Sequence, residues 1–317
     1  MDRVRRWFRV TSAGQTVHGI IRRENAHIIR NRAPLSVNIT TILTEVEDFP
    51  TLPTIYTSLL ELMANPRTTV HQLADMVATD PACALKLLKT VNSSMYRVQG
   101  RVNSISEAIF HVGFNEVKQL VTAITVVNTL TGQASTMTSS IVDLWKHSLA
   151  VGVIAKILAT STNDKNGGNH YTNGLLHDIG KLFFMRSFPK EYVALLKEVN
   201  EQNGLIVEAE KRQFGMDHTE VGELLARRWR LPESLCTSIR YHEEGTVNGE
   251  FNRDVAMIHV ADIAARMLEL GNGGDRVVPR PSFEVWAGLG IPPKTFSQMR
   301  EVIVRDYEQA VSVMLEK

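Results

Sequence analysis

"NGLLHDIGKLFF", residues 173–184, sets two ionisable side chains, His177 and Asp178, inside an apolar run. Leu175, Leu176 and Ile179 flank the pair, with Gly174 and Gly180 close on either side. Burying such a pair is costly unless hydrogen bonds or an ion compensate it. The apolar spacing predicts one helix through this stretch, ending near Ser187-Phe188-Pro189. Neighbouring residues on a helix point about 100° apart. A His-Asp pair on its crest can therefore aim both groups into one cavity, the carboxylate bridging two ions.

Further donors stand before and after the pair. Ten histidines occur, six of them in the second half: His147, His170, His177, His218, His242 and His259. Acids accompany them, with Asp217 beside His218, Glu243 beside His242 and Asp262 three residues after His259. Imidazole and carboxylate donors together suit Fe, Mn, Zn or Ni. Each residue also has a plainer reading. A lone histidine on an apolar face is usually a hydrogen-bonded core residue, the reading given to His18, His27, His71, His111 and His170. By spacing, Asp217 is an N-cap for a helix beginning at His218. Glu243 and Glu244 read as solvated residues at a helix end.

Working outward, the chain reads as helical from residue 52. "LPTIYTSLLELMANP" has a helix period and is stopped by Asn65-Pro66. Asp80-Pro81 pairs an N-cap with proline at the first helical position, opening "PACALKLLKTVNSS". Ser104, with Glu107 three residues on, starts a helix that Gly113 ends. The β-branched run at 121–128 continues an amphipathic pattern without turn residues, so it reads as buried helix rather than strand. The small polar segment 131–140, "TGQASTMTSS", reads as a linker. Beyond it come a long helix from "IVDLWKHSLAVGVIAKILAT" and helices at 190–202, 204–213, 217–229, 232–242, 253–270 and 293–315. Residues 271–282 read as a loop. The fold class is all-α. The expected division is a basic, flexible leader at 1–47, a helical subdomain at 48–130, the linker, a second helical subdomain at 141–270 and a C-terminal loop and helix at 271–317.

Composition narrows the function classes. Of 317 residues, 44% are hydrophobic and 22% charged, as in ordinary globular proteins, and the net charge of +1 supplies no global field toward nucleic acid or membrane. The two cysteines, Cys83 and Cys236, lie far apart in no metal-like spacing. That fits a reducing compartment and a cytoplasmic location. No apolar run reaches the roughly 18 residues of a membrane span. In residues 1–32 eight arginines face only Asp2 and Glu24 as acids. This leader reads as solvated, with a basic arm for nucleic acid as the alternative.

The ordered series His147, His177-Asp178, His218, His242, Asp262 resembles the HD superfamily of metal-dependent phosphohydrolases. "DHTEVG" around His218 and "YHEEG" around His242 are similar to its HD-GYP branch. The chain departs from that branch at Tyr241, where the branch has a second histidine, and at "EEGTVNGE", where the GYP element would stand. If active, it is therefore expected to be a metal-dependent phosphohydrolase other than a typical cyclic-di-GMP phosphodiesterase. The first half resembles the HDOD domain, an HD-related output domain of bacterial signalling proteins. The pieces are Leu52-Pro53, Leu73-Ala74, Asp80-Pro81, Leu87-Leu88, Val91-Asn92-Ser93, Ser104-Ile105, Ala108-Ile109 and Gly113. The resemblance covers roughly residues 48 to 270.

This resemblance implies two packed helical subdomains, the second an HD-type fold, and a regulatory or scaffolding output. A signalling protein would dock on the first half. It further implies metal ligands at His147, His177, Asp178, His218, His242 and Asp262. Two divalent ions are expected, Fe or Mn before Zn or Ni. The alternative is a phosphohydrolase acting on a phosphoester or nucleotide, with Asp178 and Lys181 in catalysis. There, two ions would lower the pKa of a shared water, and Lys181 would neutralise phosphate charge. Otherwise Lys181 ends the polar face of its helix. Nucleic-acid binding through the leader remains a third reading.

Overall fold

The computed structural model describes residues 54–65, 67–131, 139–162, 164, 167–279, 282–291 and 295–315. The expected leader at 1–47 and residues 132–138 of the expected linker lie outside these residues, and Thr131, Ser139 and Ser140, read as linker, are helical. The described chain is helical, and no strand occurs in it; an isolated antiparallel bridge joins Val247 and Glu250.

Five helices form the first half: α1 (Thr54–Ala64), α2 (Val70–Ala78), α3 (Pro81–Val91), α4 (Ile105–Val112) and α5 (Phe114–Thr131). Their starts follow local chemistry. Thr69 caps α2 in a reciprocal capping box with Gln72. Asp80 accepts from the backbone N–H of Ala82 and Cys83 at the start of α3, ahead of Pro81. Val121, Ile124, Val126 and Val127 of the β-branched run are buried on α5, as the sequence predicts.

The second half is built around α6 (Ser139–Ser161). This helix is buried around most of its circumference between Leu144 and Ala159, the pattern of a central helix. Against it pack α7 (Gly167–Leu176), α13 (Arg253–Met267) and α15 (Thr295–Leu315). The layer is completed by α8 (Ile179–Ser187), α9 (Pro189–Gln202), α10 (Ile206–Phe214), α11 (His218–Arg228), α12 (Glu233–Tyr241) and the short α14 (Phe283–Leu289). One apolar cluster runs from Tyr56 and Leu59 through Leu120 and Ile124 of α5 to Tyr171, Leu175 and Phe183 of the second half. A second lies between α6, α13, α14 and α15. Each fully buried leucine or isoleucine in them contributes about 1.5–3 kcal/mol.

Two crossings are closer than side chains permit. A Cβ on Gly174 would lie 2.7 Å from the Cα of Gly152, which brings α7 onto α6. A Cβ on Gly180 would lie 1.9 Å from the carbonyl oxygen of His218, which brings α8 onto the first turn of α11. The glycines bracketing the His-Asp pair are therefore the points at which its segment touches its neighbours.

The expected single helix through 173–187 is broken. α7 ends at Leu176, His177 and Asp178 form the turn, and α8 begins at Ile179. The His177 ring donates to the carbonyl of Gly174 at 2.7 Å, satisfying an acceptor that the ended helix leaves open. His170, read as a hydrogen-bonded core residue, lies inside α7, fully buried, with Nε2 3.2 Å from Asp164 Oδ2. His71 and His111 are exposed rather than core residues.

Candidate metal centre

Six residues singled out in the sequence meet at one place, although they come from five different segments. His147 is carried by α6, His177 and Asp178 by the turn between α7 and α8, and His218 by the first turn of α11. His242 follows α12 and Asp262 lies on α13. None of the six is more than 2% exposed. Asp178 is the hub. Its Oδ1 lies 3.4 Å from His218 Nε2 and 3.5 Å from His242 Nε2. Its Oδ2 lies 3.3 Å from His177 Nε2 and 4.0 Å from His147 Nε2. His147 Nε2 in turn lies 2.8 Å from Asp262 Oδ1.

The rings are oriented from behind. Nδ1 of His177 faces the Gly174 carbonyl and Nδ1 of His242 the Ile239 carbonyl, at 2.7 and 2.9 Å. A carbonyl only accepts, so in the neutral rings Nδ1 carries the proton and Nε2 turns a lone pair inward. Nδ1 of His218 meets Glu210 Oε2 at 2.6 Å, and Glu210 also accepts from Tyr192 Oη at 2.5 Å. Anchoring the outer nitrogen to a carbonyl or carboxylate is how proteins fix metal-binding histidines.

The inward atoms find no partners. Nε2 of His147, His177, His218 and His242, and Oδ1 of Asp178, are buried without a hydrogen bond. The His147–Asp262 approach is close but lacks hydrogen-bond alignment. Orphaned buried polar atoms are rare, and a cluster of them facing one another asks for an ion or ordered water. Three overlapping donor groups result: His147, His177 and Asp262; His177, Asp178 and His242; His218, His242 and Glu243. The donor set therefore fits one or two divalent ions. Such an ion would supply Lewis acidity and compensation for the buried carboxylates.

Charge is arranged to suit. Burial works to raise the Asp178 carboxyl, but His177 and the Lys181 ammonium beside it hold it well below the usual carboxylate range. Burial lowers His177, favouring the neutral form that a metal requires, whereas at His242 burial is outweighed by the Asp178 carboxylate and the shift is upward. Burial likewise acts to lower Lys181, and the Asp178 carboxylate more than offsets it.

The structure places Lys181 away from open space. Its Nζ is fully buried and donates to Asp178 Oδ2 at 2.8 Å and to the Gly273 carbonyl at 2.7 Å. It does not end a polar face. Three functional-site residues escaped the sequence reading. Glu210 orients His218. Glu243, read as solvated, has a side chain only 20% exposed and stands 3.8 Å from His218 Nε2. Arg266 is buried and pairs with Asp262 at 2.9 Å, Glu243 at 3.1 Å and Asp275 at 2.9 Å. Its spacing of four residues from Asp262 on an otherwise apolar helix was the available signal. Nothing local distinguishes Glu210 from its polar neighbours.

A helical fold that gathers histidines and aspartates around a buried His-Asp turn is of the HD type. The HDOD domain family model matches residues 49–245, and the chain belongs to that family. Its structure is similar to an HDOD domain protein of unknown function from Geobacter sulfurreducens, at 27% identity and a TM-score of 0.70. That likeness covers 88% of this chain and 100% of the other. A protein from Marinobacter aquaeolei, provisionally described as a signal transduction protein, shares the fold at 22% identity and a TM-score of 0.67. There the cover is 90% of this chain and 62% of the other. An uncharacterised protein of Treponema pallidum is 25% identical over 265 residues, 80% of this chain. The chain spans about half the length of that curated relative, 51%. Asp262 and Arg266 fall beyond the family match. Among the described residues no helix is long and apolar enough to cross a membrane.

Proposed function

We propose that this chain is a signal-transduction output module of the HDOD type, whose second half holds a buried divalent-metal site for structure or sensing. The observation that carries this reading is the convergence of five orphaned donor atoms on one point, sealed from solvent. Orphaned donors argue for an ion, and the seal argues against routine exchange of a substrate. His147, His177, Asp178, His218, His242 and Asp262 are the proposed ligands, with Fe or Mn the favoured ions. Output would pass through a signalling protein docked on the first half, where Phe110 and Leu85 are exposed apolar side chains.

A second reading, a metal-dependent phosphohydrolase, is supported by the complete set of ligand types. The two are separated by a turnover screen of metal-loaded protein on phosphomonoesters, phosphodiesters and nucleotides. The module reading expects no turnover above the His177→Ala/Asp178→Ala variant. Turnover that disappears in that variant would replace it with the enzyme reading.

A further inference from the structure

We infer that Glu243 is a metal ligand, and that Asp178, His218, His242 and Glu243 form the cage that takes the first ion. This rests on the metal-site reading above and adds to it a donor and an order of filling.

Donors bound at 2.0–2.2 Å around a tetrahedral ion stand about 3.3–3.6 Å from one another. Asp178 Oδ1 lies 3.4 Å from His218 Nε2 and 3.5 Å from His242 Nε2, so it stands at that spacing from both nitrogens. Glu243 Oε1 closes the fourth side at 3.8 and 4.0 Å from the same two nitrogens. Its partly exposed side chain can take up the small remaining difference. Three of the four donor atoms, Asp178 Oδ1 and both nitrogens, are buried and unpartnered.

Charge sets the order. On the other side of Asp178, Oδ2 is bound by Lys181 at 2.8 Å, and Asp262 is bound by Arg266 at 2.9 Å. An ion there enters beside two fixed cations. In the Glu243 cage Oδ1 of Asp178 carries no hydrogen bond, and the cation that touches a donor oxygen is Arg266, 3.1 Å from Glu243 Oε1. A carboxylate has lone pairs for both an arginine and an ion, and ligating carboxylates are commonly held by such a partner. Arg266 thus braces Glu243 toward the histidines.

The test is a Co2+ titration of the full chain after dialysis against chelator, followed by visible absorption, with metal counted per chain. In the wild-type protein the first equivalent is expected to give the strong visible bands of a four-coordinate ion. Glu243→Gln is expected to weaken that first ion by about 100-fold or more, at or beyond the range typical of outer-shell partners, and to reduce those bands. His147→Ala is expected to leave the first ion in place. If Glu243→Gln titrates like wild type while wild type binds metal, the Glu243 assignment is overturned and the metal site stands. If wild type binds no ion, both fall. Should Glu243→Gln fail to fold, Glu243→Asp keeps the charge for Arg266 but withdraws the oxygen. Wild-type affinity and spectrum in that variant would overturn the inference equally.

Discussion

Replacing Gly180 by alanine tests whether the metal centre depends on one helix crossing. On helix propensity alone the change should stabilise α8 by up to about 1 kcal/mol. The structure dictates the opposite sign. The new Cβ would lie 1.9 Å from the His218 carbonyl oxygen, 2.7 Å from its carbon and 2.9 Å from the Gly222 nitrogen. All three are backbone atoms, so no side chain can rotate away. Restoring ordinary contact requires α8 and α11 to separate by roughly 1.5 Å. Overpacking of this kind costs about 1–3 kcal/mol and sometimes more. With backbone on both sides, about 3 kcal/mol is expected, net of the propensity gain. The same movement carries His218 away from Asp178, far outside the roughly 0.2 Å tolerance of a metal–ligand distance. Urea unfolding with and without Mn2+, together with metal counted per chain, reads both effects. A Gly180→Ala protein as stable as wild type, with full metal content, would refute the close crossing and its link to the site.

Two further substitutions probe the supporting groups. Arg266→Met leaves Asp262, Glu243 and Asp275 without their shared cation, which should cost about 3–5 kcal/mol in the metal-free protein. The loss should shrink when Mn2+ saturates the site, because the ion then compensates the same carboxylates; equal losses with and without metal would contradict the arrangement. Asp217→Ala removes the cap that accepts from Thr219 and Glu220 at the start of α11. It should lower stability by about 1–2 kcal/mol with an unchanged urea slope. A value near zero would show that Glu210, bonded to the His218 backbone N–H at 2.9 Å, holds that turn alone.

The helices of this chain were legible because their boundaries are local chemistry. Asp80-Pro81, Ser104 and Asp217 cap helices where the sequence puts them. The turn at His177-Asp178 was not legible. Leu176 and Ile179 continue an apolar helical pattern, and no proline or glycine marks the break between them. The site shows the same division. The six expected donors are histidines and aspartates of unmistakable type, and the structure brings them together. Glu210 and Glu243 sit in polar stretches that look solvated until the fold closes over them, and Arg266 is a lone cation in the apolar run around Ala264, Ala265 and Met267. Whether a charge is buried is decided by packing between α9, α10, α13 and the loop after α13, which no local pattern encodes.

The most direct measurement is elemental analysis of the full chain purified without chelator, beside His177→Ala/Asp178→Ala handled identically. The account predicts one to two equivalents of divalent metal per chain, Fe or Mn foremost, in the wild-type protein and essentially none in the variant. Wild-type protein that takes up no divalent metal even when it is supplied, or a variant that keeps its full complement, would contradict it.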